Sequence, residues 1–400
     1  MAIRKGNDRN DALLNRRDFL ASTTAAGFSL GFSDYTSAQI ETADETQGLS
    51  NEGHITGEAR INVVVLDDYQ DVVRHLSSFS LLDHQDVTVY NDSVKDLDTL
   101  VDRLRNAEAI VLIRERTWIT DELLAQLPRL RVISQTSSGV QHIDVEACTR
   151  RGVLVTNGTT GSVAPAELTW ALIMASSRHL HAYSAELKRG TWQSAAGLGL
   201  GRVVRGRTLG IWGYGRIGTI VAGFGRAFGM NVMVWGSERS RGRAVADGLF
   251  AAQSQDEFFS QADVVSIHLR LVEATRGIVT ESDLMRMKPS ALFVNTSRAG
   301  LVESDALVRS LRAGRPGFAA IDVFNEEPVS DASHPLLGAE NVLATPHIGY
   351  VEQDNYEFYF GTAFDNILTY LSGEPENIVN PEALADERSH SGLAECALVR

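Results

Sequence analysis

Three polar side chains follow apolar runs in the second half of the chain, at places where they could do chemistry together. Arg298 follows ALFVNTS, Glu327 lies just beyond GFAAIDVF, and His347 follows NVLATP. An arginine can clamp a carboxylate through two hydrogen bonds and polarise an adjacent carbonyl. A histidine can donate a proton to an alkoxide as hydride arrives, and a neighbouring carboxylate fixes its ring and favours the imidazolium. The three residues therefore supply an anion clamp and an acid for reduction of a 2-oxo acid. Alternatively, these residues could have structural roles: Arg298 and Glu327 could form an ion pair between lobes, and His347 could cap a strand.

The segment TLGIWGYGRIG, residues 208–218, supplies the candidate site for the cofactor that carries the hydride, because its glycines have the spacing of a dinucleotide-binding turn. An apolar strand runs into the glycines, and IGTIVAGFGRAFG continues as a helix whose N-terminus can face a pyrophosphate. An ordinary glycine-rich turn is the alternative. The residues predicted to bind the cofactor here are Gly213, Tyr214, Gly215, Arg216, Ile217 and Gly218.

Short apolar runs alternate with amphipathic stretches from residue 61 onward, which predicts repeated strand–helix units. Such units build parallel sheets with helices on both faces, and functional residues collect beyond the carboxyl ends of the strands. The pattern predicts a helix over 71–85, one long helix over 162–188, and another over 351–373 that crosses back to the first lobe. The site then lies in the cleft between two lobes. The predicted strands are INVVVLDDY, VTVYND, AIVLIRE, LRVISQT and VLVTNG, then TLGIWG, NVMVWG, DVVSIHL, ALFVNTS, GFAAIDVF and NVLATPH.

The composition of the chain indicates how many cores it can build and which partners and metal sites are not expected. With 400 residues, of which 44% are hydrophobic, the chain can build two cores of ordinary size. A net charge of −14 without a long basic cluster argues against a nucleic-acid partner or an anionic membrane surface. Cys148 and Cys396 form no disulfide framework, and no cluster with metal-ligand spacing occurs, so no metal site is expected.

The N-terminal segment resembles a twin-arginine export leader. NRRDFL leads into a small-residue apolar run that ends near residue 32, and YTSA has the form of a cleavage site. The run is too short for a stable membrane span. A disordered basic tail is the alternative. We expect a periplasmic protein if the leader functions and a cytoplasmic one otherwise.

The motifs GYGRIG, NTSRAGLVE, DVFNEEP and TPHIG occur in that order, and residues 60–381 resemble the D-isomer-specific 2-hydroxyacid dehydrogenase family. The resemblance implies that Arg298 binds the substrate and that His347 is the acid/base. It assigns the partner carboxylate to Glu327 rather than Glu326, because the family places that carboxylate next to proline. It also implies a Rossmann-type nucleotide domain inserted in a flavodoxin-like substrate domain, both with doubly wound parallel sheets.

The same resemblance adds further expectations about the site. Backbone N–H groups near Ser138 and Gly139, in TSSGVQHID, would hold the substrate carboxylate. His268 is assigned to the nicotinamide pocket, with a buried structural histidine as the alternative, and Thr296 to the cofactor. A homodimer through the nucleotide lobe is expected. The expected segments are a leader and linker (1–58), the first part of the substrate domain (59–161), the nucleotide domain (162–346), the crossover helix (347–382) and a tail (383–400).

The end of the second nucleotide-domain strand bears on cofactor choice. NAD-specific folds usually have an acidic residue there, but NVMVWG ends in Gly236. Ser237 with Arg239 or Arg241 could bind a 2′-phosphate, which favours NADP, although Glu238 could replace the missing acid and keep NAD possible. Arg239 could equally be a solvated loop charge.

These observations favour an oxidoreductase that moves hydride between NAD(P)H and a small 2-oxo or 2-hydroxy acid, of the glyoxylate or hydroxypyruvate reductase type. A D-3-phosphoglycerate dehydrogenase is the alternative within the family. A non-catalytic, nucleotide-sensing binding protein on the same fold is the alternative from another class.

Overall fold

Two parallel β-sheets organise residues 60–385, the part of the chain that this computed structural model describes. The leader predicted over 15–38, Cys396 and most of the predicted tail lie outside the described residues. The first sheet consists of β1 (Asn62–Val65), β2 (Asp86–Val89), β3 (Ala109–Leu112), β4 (Val132–Gln135) and β5 (Leu154–Asn157).

All neighbouring strands of the first sheet are parallel, in the spatial order β2-β1-β3-β4-β5. Every residue of β3 and β4 is buried, as expected for a sheet covered on both faces. The strand order reverses between β1 and β3, and such a switch point opens a crevice beyond the carboxyl ends of the strands. The helices that follow its strands are α1 (Leu97–Leu104), α2 (Asp121–Leu124) and α3 (Val145–Arg150).

The prediction of one α-helix over 71–85 is wrong. The structure has two short 3₁₀ helices there, Val73–His75 and Ser77–Leu82. The residue between them, Leu76, has an extended backbone with ψ of 143°, which ends the first helix. Two serines and a phenylalanine follow, and such residues have weak helix propensity.

The segment between the two sheets is also divided, because the helix predicted over 162–188 breaks at His179. This residue has φ of 51°, a left-handed conformation that no α-helix can contain. The result is two helices, α4 (Val163–Ser177) and α5 (Leu180–Lys188). Pro165 lies in the first turn of α4, where its missing N–H costs no helical hydrogen bond.

The second sheet has seven parallel strands, which begin with the strand before the glycine turn. Its strands are β6 (Thr208–Trp212), β7 (Asn231–Trp235), β8 (Phe250–Ala251), β9 (Val264–Ile267), β10 (Leu292–Asn295), β11 (Phe318–Ile321) and β12 (Val342–Ala344). Their spatial order is β12-β11-β10-β9-β6-β7-β8, so the order reverses between β6 and β9. The helices are α6 (Arg216–Ala227), α7 (Glu238–Ala246), α8 (Gln255–Gln261), α9 (Glu281–Arg286) and α10 (Ala306–Arg312). The predicted α/β class with two parallel sheets is confirmed, whereas the two-residue strand β8 was not predicted.

The last long helix, α11 (Gln353–Leu371), packs on the first sheet rather than the second. Its Phe360 and Phe364 share one hydrophobic core with Val63 of β1 and Val111 of β3. Because β12 belongs to the second sheet, the chain between β12 and α11 passes from one sheet to the other. This connection contains His347. The segment bounds at 59, 162 and 347 stay predictions.

Candidate active site

The glycines of the turn from β6 to α6 have three different roles. Gly213 has φ of 101°, which other residues rarely adopt, and a Cβ there would collide with the carbonyl oxygen of His268. A Cβ on Gly218 would collide with the carbonyl oxygen of Gly213, so this glycine lets the helix approach the strand. A Cβ on Gly215 would meet no atom of the described residues within 4 Å. The turn therefore leaves room beside Gly215 for a pyrophosphate.

The start of α6 also suits a phosphate. Gly215 is its N-cap and provides no side-chain oxygen, so the first-turn N–H groups lack a side-chain cap and can face a ligand anion. Arg216 is exposed and Ile217 is half-buried at this end. The Tyr214 side chain turns away, because it is buried and its hydroxyl donates to Asp247 Oδ2 at 2.8 Å. Only the backbone of Tyr214 is left to face a cofactor.

The residues after β7 form the part of the site nearest the expected ribose. Gly236 has φ of 144°, so an acidic side chain at this position would be strained. Ser237 is the N-cap of α7, and its Oγ accepts from a backbone N–H at 3.3 Å. The Arg241 guanidinium lies 5.0 Å over the Trp235 ring, and its Nε has no hydrogen-bond partner among the described residues. Arg239 is exposed.

His268 and Thr296 follow the neighbouring strands β9 and β10. His268 Nε2 lies 2.9 Å from Ser266 Oγ, and burial lowers the pKa of His268 to about 4, so the ring is neutral near pH 7. Its carbonyl oxygen lies against Gly213, which puts this residue beside the dinucleotide turn. Thr296 Oγ1 lies 2.7 Å from Thr169 Oγ1 of α4. Both residues are thus beyond the carboxyl ends of the second sheet, and their contacts with a cofactor stay predictions.

His347 and Glu327 form a hydrogen-bonded pair, with 2.6 Å between His347 Nδ1 and Glu327 Oε2. The other carboxylate oxygen of Glu327 accepts from the Phe324 N–H at 2.9 Å. Burial raises the pKa of Glu327, but the hydrogen bond and charge of His347 outweigh it and hold that pKa below its ordinary 4.5. Glu327 is therefore a carboxylate near neutral pH. Because Nδ1 is engaged, Nε2 is the nitrogen of His347 that can face a substrate.

A buried carboxylate that the sequence interpretation missed, Asp322, holds the loop around His347. Asp322 Oδ1 accepts from Thr345 Oγ1 at 2.6 Å and from the Ile348 N–H at 2.8 Å, and Oδ2 accepts from the Gly349 N–H at 2.8 Å. Burial raises the pKa of Asp322 despite these hydrogen bonds. His347 itself has φ of 53°, a left-handed conformation that costs energy in a non-glycine residue. The contacts on both sides of His347 keep it in this conformation.

Arg298 pairs with Glu115, and not with Glu327 as the ion-pair alternative would require. Arg298 Nη2 lies 3.1 and 3.3 Å from the two carboxylate oxygens of Glu115, while Nη1 donates to the Ser297 carbonyl at 2.8 Å. Glu115 follows β3 of the first sheet and Arg298 follows β10 of the second, so the ion pair joins the ends of both sheets. Glu115 was not predicted as a site residue. It follows an apolar run, as the predicted residues do, and this signal could have found it.

The predicted substrate loop lies against this ion pair. Gly139 is close to the carboxylate of Glu115, since a Cβ on Gly139 would be 2.8 Å from Glu115 Oε1. The Gly139 carbonyl accepts from Gln135 Nε2 at 2.9 Å, which anchors the loop to the end of β4. Ser138 is exposed, and its carbonyl lies 3.4 Å from Asn157 Nδ2. The loop therefore reaches the same place as Arg298 from the opposite sheet.

Tyr350 connects the histidine to the arginines of the first sheet. Its ring lies 5.5 Å from the His347 ring in a T-shaped arrangement, and the Arg114 guanidinium lies 4.9 Å over it. Arg116 Nη2 is 2.6 Å from the Tyr350 hydroxyl. The charges of Arg298 and His347 both lower the pKa of Glu327, and both lower the pKa of Glu115. The structure thus brings Arg298, Glu327, His347 and Gly139 into one cluster with Glu115.

Within residues 60–385, no group of three or more His, Cys, Asp or Glu side chains is placed to hold a metal ion. No helix in that part of the chain is both long and apolar enough to cross a bilayer.

A dinucleotide turn at one sheet, and an arginine with a histidine–carboxylate pair at the same crevice, define a dinucleotide-dependent oxidoreductase of the α/β class. Comparison with known proteins agrees. The family described as D-isomer specific 2-hydroxyacid dehydrogenase, NAD binding domain, matches residues 170–349.

Full-length relatives extend this match beyond the nucleotide domain. A glyoxylate reductase of Aeropyrum pernix is 39% identical over 297 residues, which cover 72% of this chain and 87% of that enzyme. A D-3-phosphoglycerate dehydrogenase of Methanocaldococcus jannaschii is 34% identical, but this chain spans only 55% of its length and the match covers 73% of this chain. A solved structure from Ralstonia solanacearum, described as a candidate D-3-phosphoglycerate dehydrogenase, has a TM-score of 0.80 and 55% identity and covers 82% of this chain and 98% of its own. The chain belongs to the D-isomer specific 2-hydroxyacid dehydrogenase family.

Proposed function

We propose that this enzyme uses NADPH to reduce a small 2-oxo acid of the glyoxylate or hydroxypyruvate type to the corresponding 2-hydroxy acid. The observation that carries the proposal is the 2.6 Å pair of His347 Nδ1 and Glu327 Oε2, which lies close enough to Arg298 for the arginine charge to lower the pKa of Glu327. An acid, an anion clamp and a dinucleotide cradle are the parts that this reaction needs.

The residues of the site have different roles in that reaction. A bound nicotinamide dinucleotide would supply the hydride. Arg298 binds the carboxylate of the 2-oxo acid, together with backbone N–H groups near Ser138 and Gly139, and polarises the adjacent carbonyl. His347 Nε2 donates the proton that the carbonyl oxygen gains, and it takes the proton back in the oxidation direction. Glu327 keeps the ring in place through Nδ1 and stabilises the imidazolium.

A panel of 2-oxo acids tests the proposal. Purified protein is mixed with glyoxylate, hydroxypyruvate, pyruvate or phosphohydroxypyruvate and with NADPH or NADH, and cofactor oxidation is followed by absorbance. We expect turnover of glyoxylate or hydroxypyruvate. Binding of NADPH without oxidation by any acid would contradict the proposal and favour a nucleotide-sensing protein.

D-3-phosphoglycerate oxidation is the second candidate, because relatives with that activity in their names match the chain. The match to the Methanocaldococcus jannaschii enzyme covers 55% of that protein, so its activity does not transfer as a whole. A higher kcat/KM for the phosphorylated acid in the same panel would favour this candidate.

The preference for NADPH is supported by the residues after β7. Gly236 provides no acid for the ribose hydroxyls, and Arg239 and Arg241 follow it with guanidinium groups that can bind a 2′-phosphate. Glu238, the first residue of α7, keeps NADH as the alternative cofactor.

Arg241→Ala and Arg239→Ala should lower kcat/KM for NADPH about tenfold while leaving kcat/KM for NADH unchanged. Arg243→Ala is the matched control, since Arg243 lies 5.7 Å over the Tyr214 ring instead. A wild-type preference for NADH would contradict this cofactor assignment.

Export through the twin-arginine route is a separate proposal that rests on NRRDFL and YTSA in the sequence. N-terminal sequencing of protein from periplasmic and cytoplasmic fractions tests it. We expect a periplasmic form that begins after residue 38. An intact residue 1 in a cytoplasmic pool alone would contradict export and place the enzyme in the cytoplasm.

A homodimer is proposed because large apolar side chains are exposed on one stretch of the nucleotide lobe. Burying such side chains against a second copy is favourable. Light scattering after size-exclusion chromatography should give the mass of two chains, and Trp192→Ser with Leu200→Ser should shift it toward one. A monomeric wild type would contradict the proposal. The exposed residues are Leu180, Leu187, Trp192, Leu200 and Val203.

A further inference from the structure

Glu115 brings a negative charge into a site that is otherwise built to bind an anion. It follows β3, at the switch point where the strand order of the first sheet reverses. Its two oxygens lie 3.1 and 3.3 Å from Arg298 Nη2, and Oε2 lies 4.0 Å from Arg114 Nε. Oε1 also lies against Gly139, where a Cβ would be 2.8 Å away. The carboxylate therefore sits between the anion clamp and the substrate loop.

Glu115 is ionised near neutral pH. Burial raises its pKa, but Arg114 and Arg298 outweigh burial and hold the pKa below the ordinary 4.5. His142 also faces it, but burial lowers the pKa of His142 to about 4, so that ring is neutral. Two guanidinium charges are thus opposed by one carboxylate at this place, and the charge of His347, which also acts on Glu115, is opposed by its own partner Glu327. The excess of one positive charge matches a substrate with a single carboxylate.

We propose that Glu115 determines the substrate class: it favours 2-oxo acids with a hydroxyl at C3 and disfavours those with a phosphate there. A carboxylate accepts a hydrogen bond from a hydroxyl, whereas it repels a second anion. In a three-carbon acid any second anionic group lies close to the carboxylate that Arg298 binds, and hence close to Glu115. Arg114 offsets this repulsion only in part, because its charge is already opposed by that of Glu115, whose Oε2 lies 4.0 Å from Arg114 Nε. This inference rests on the proposed function and specifies the substrate of the same site.

The test compares kcat/KM for hydroxypyruvate and phosphohydroxypyruvate, with glyoxylate as the reference that carries no substituent. In Glu115→Gln the ratio of phosphorylated to hydroxylated substrate should rise about tenfold, mainly through KM, because one near repulsion is removed. Glu115→Asp keeps the charge and should stay near the wild-type ratio. Glu326→Gln is the control for a general loss of negative charge, because Glu326 is exposed and next in sequence to Glu327. It should leave the ratio unchanged.

The outcomes separate this inference from the proposed function. Turnover of glyoxylate by Glu115→Gln with an unchanged ratio would overturn the role of Glu115 and leave the proposed function intact. An equal rise in Glu326→Gln would also overturn it, since the effect would not be local. Failure of the wild type on every 2-oxo acid would overturn both. Dinucleotide binding by each variant, measured by fluorescence, shows that the fold is retained.

Discussion

His347 depends on its neighbours for both its position and its chemistry. Its backbone is in the left-handed region, with φ of 53°, and such a conformation persists only where surrounding contacts hold it. Asp322 supplies those contacts through Thr345, Ile348 and Gly349. Glu327 fixes the ring itself. The acid is thus held by two carboxylates, one bound to its ring and one bound to its loop.

Asp322→Asn should loosen this loop without removing a group that touches the substrate. One oxygen of Asp322 becomes an amide that cannot accept from an N–H, so a buried donor loses its partner, at a cost of about 1–3 kcal/mol in stability. We expect kcat to fall about tenfold, because the imidazole is less well placed, while the Kd for NADPH stays within about threefold. Stopped-flow turnover and fluorescence titration check the two effects. Equal losses in kcat and in NADPH affinity would instead indicate general unfolding.

The Glu327 carboxylate makes stability depend on pH in acid. Its pKa is lowered in the folded protein, so its contribution is fully present above the unfolded pKa of about 4.3 and is lost as pH falls through the folded pKa. Glu327→Gln should therefore lower Tm near pH 7 and have a smaller effect near pH 3.5, which is below the unfolded pKa, because protonation of the unfolded chain has by then removed part of the contribution. Thermal unfolding of both proteins at the two pH values measures this. A difference in Tm that grows as pH falls would contradict the assignment.

The residues of the site were predictable to different degrees. The rule that polar residues after apolar strands face the crevice pointed to Arg298, Glu327 and His347, and these lie together. The same rule applies to Asp322 and Glu115, which were missed. Several polar residues follow each strand, and the turn of the loop decides which of them faces the crevice. That turn depends on contacts with the other sheet, which a local sequence does not contain.

At the scale of elements, the turn from β6 to α6 determines whether a dinucleotide can bind. Its three glycines differ in what surrounds them, and this gives different predictions for Gly218 and Gly215. Gly218→Ala should destabilise the protein by about 1–3 kcal/mol, because its Cβ would collide with the Gly213 carbonyl. Gly215→Ala should cost less than about 1 kcal/mol, since its Cβ would meet no atom of residues 60–385 within 4 Å. It should nevertheless weaken dinucleotide binding about tenfold, because the methyl group occupies the place of the phosphate.

Denaturant unfolding and fluorescence titration separate these effects. Gly223→Ala is the matched control, because this glycine lies on the exposed side of α6 and a Cβ there would contact none of the described residues within 4 Å; it should leave binding unchanged. It should stabilise the helix by up to about 1 kcal/mol. Normal dinucleotide affinity in Gly215→Ala would contradict the placement of the phosphate.

Strands were easier to predict than helices in this chain. Ten strands of the described residues 60–385 lie within predicted apolar runs, because a strand that is buried on both faces is a continuous apolar segment, and β2 begins one residue before its predicted run. β8 has only two residues and gives no such run. The helix over 162–188 was wrong as a single element because His179 adopts a left-handed backbone, and histidine carries no sequence signal for that conformation. The two 3₁₀ helices within 71–85 were not predicted either, since hydrophobic spacing does not distinguish one helix type from another.

For the whole molecule, the site exists only where the two sheets meet. Arg298 and the glycine turn belong to the second sheet, whereas Glu115 and Gly139 belong to the first, and the Arg298–Glu115 ion pair joins them. The return of α11 to the first sheet leaves His347 in the connection between the sheets. The sequence order predicted two lobes with a cleft, because strand–helix units stopped and restarted. It did not predict the ion pair, since residues 115 and 298 are brought together only by the fold.

The central claim is that this site transfers hydride to a 2-oxo acid with His347 as the acid, and isotope transfer tests it most directly. The protein is incubated with glyoxylate and NADPH that carries two deuterium atoms at C4 of the nicotinamide, and the product is analysed by mass spectrometry. We expect glycolate with deuterium on C2, formed about 10²–10⁴-fold more slowly by His347→Ala, which should still bind NADPH. His334→Ala, which removes a histidine that packs against Phe324 outside the His347–Glu327 pair, is the control and should match the wild type. Unlabelled product, or equal rates in His347→Ala and the wild type, would contradict the claim.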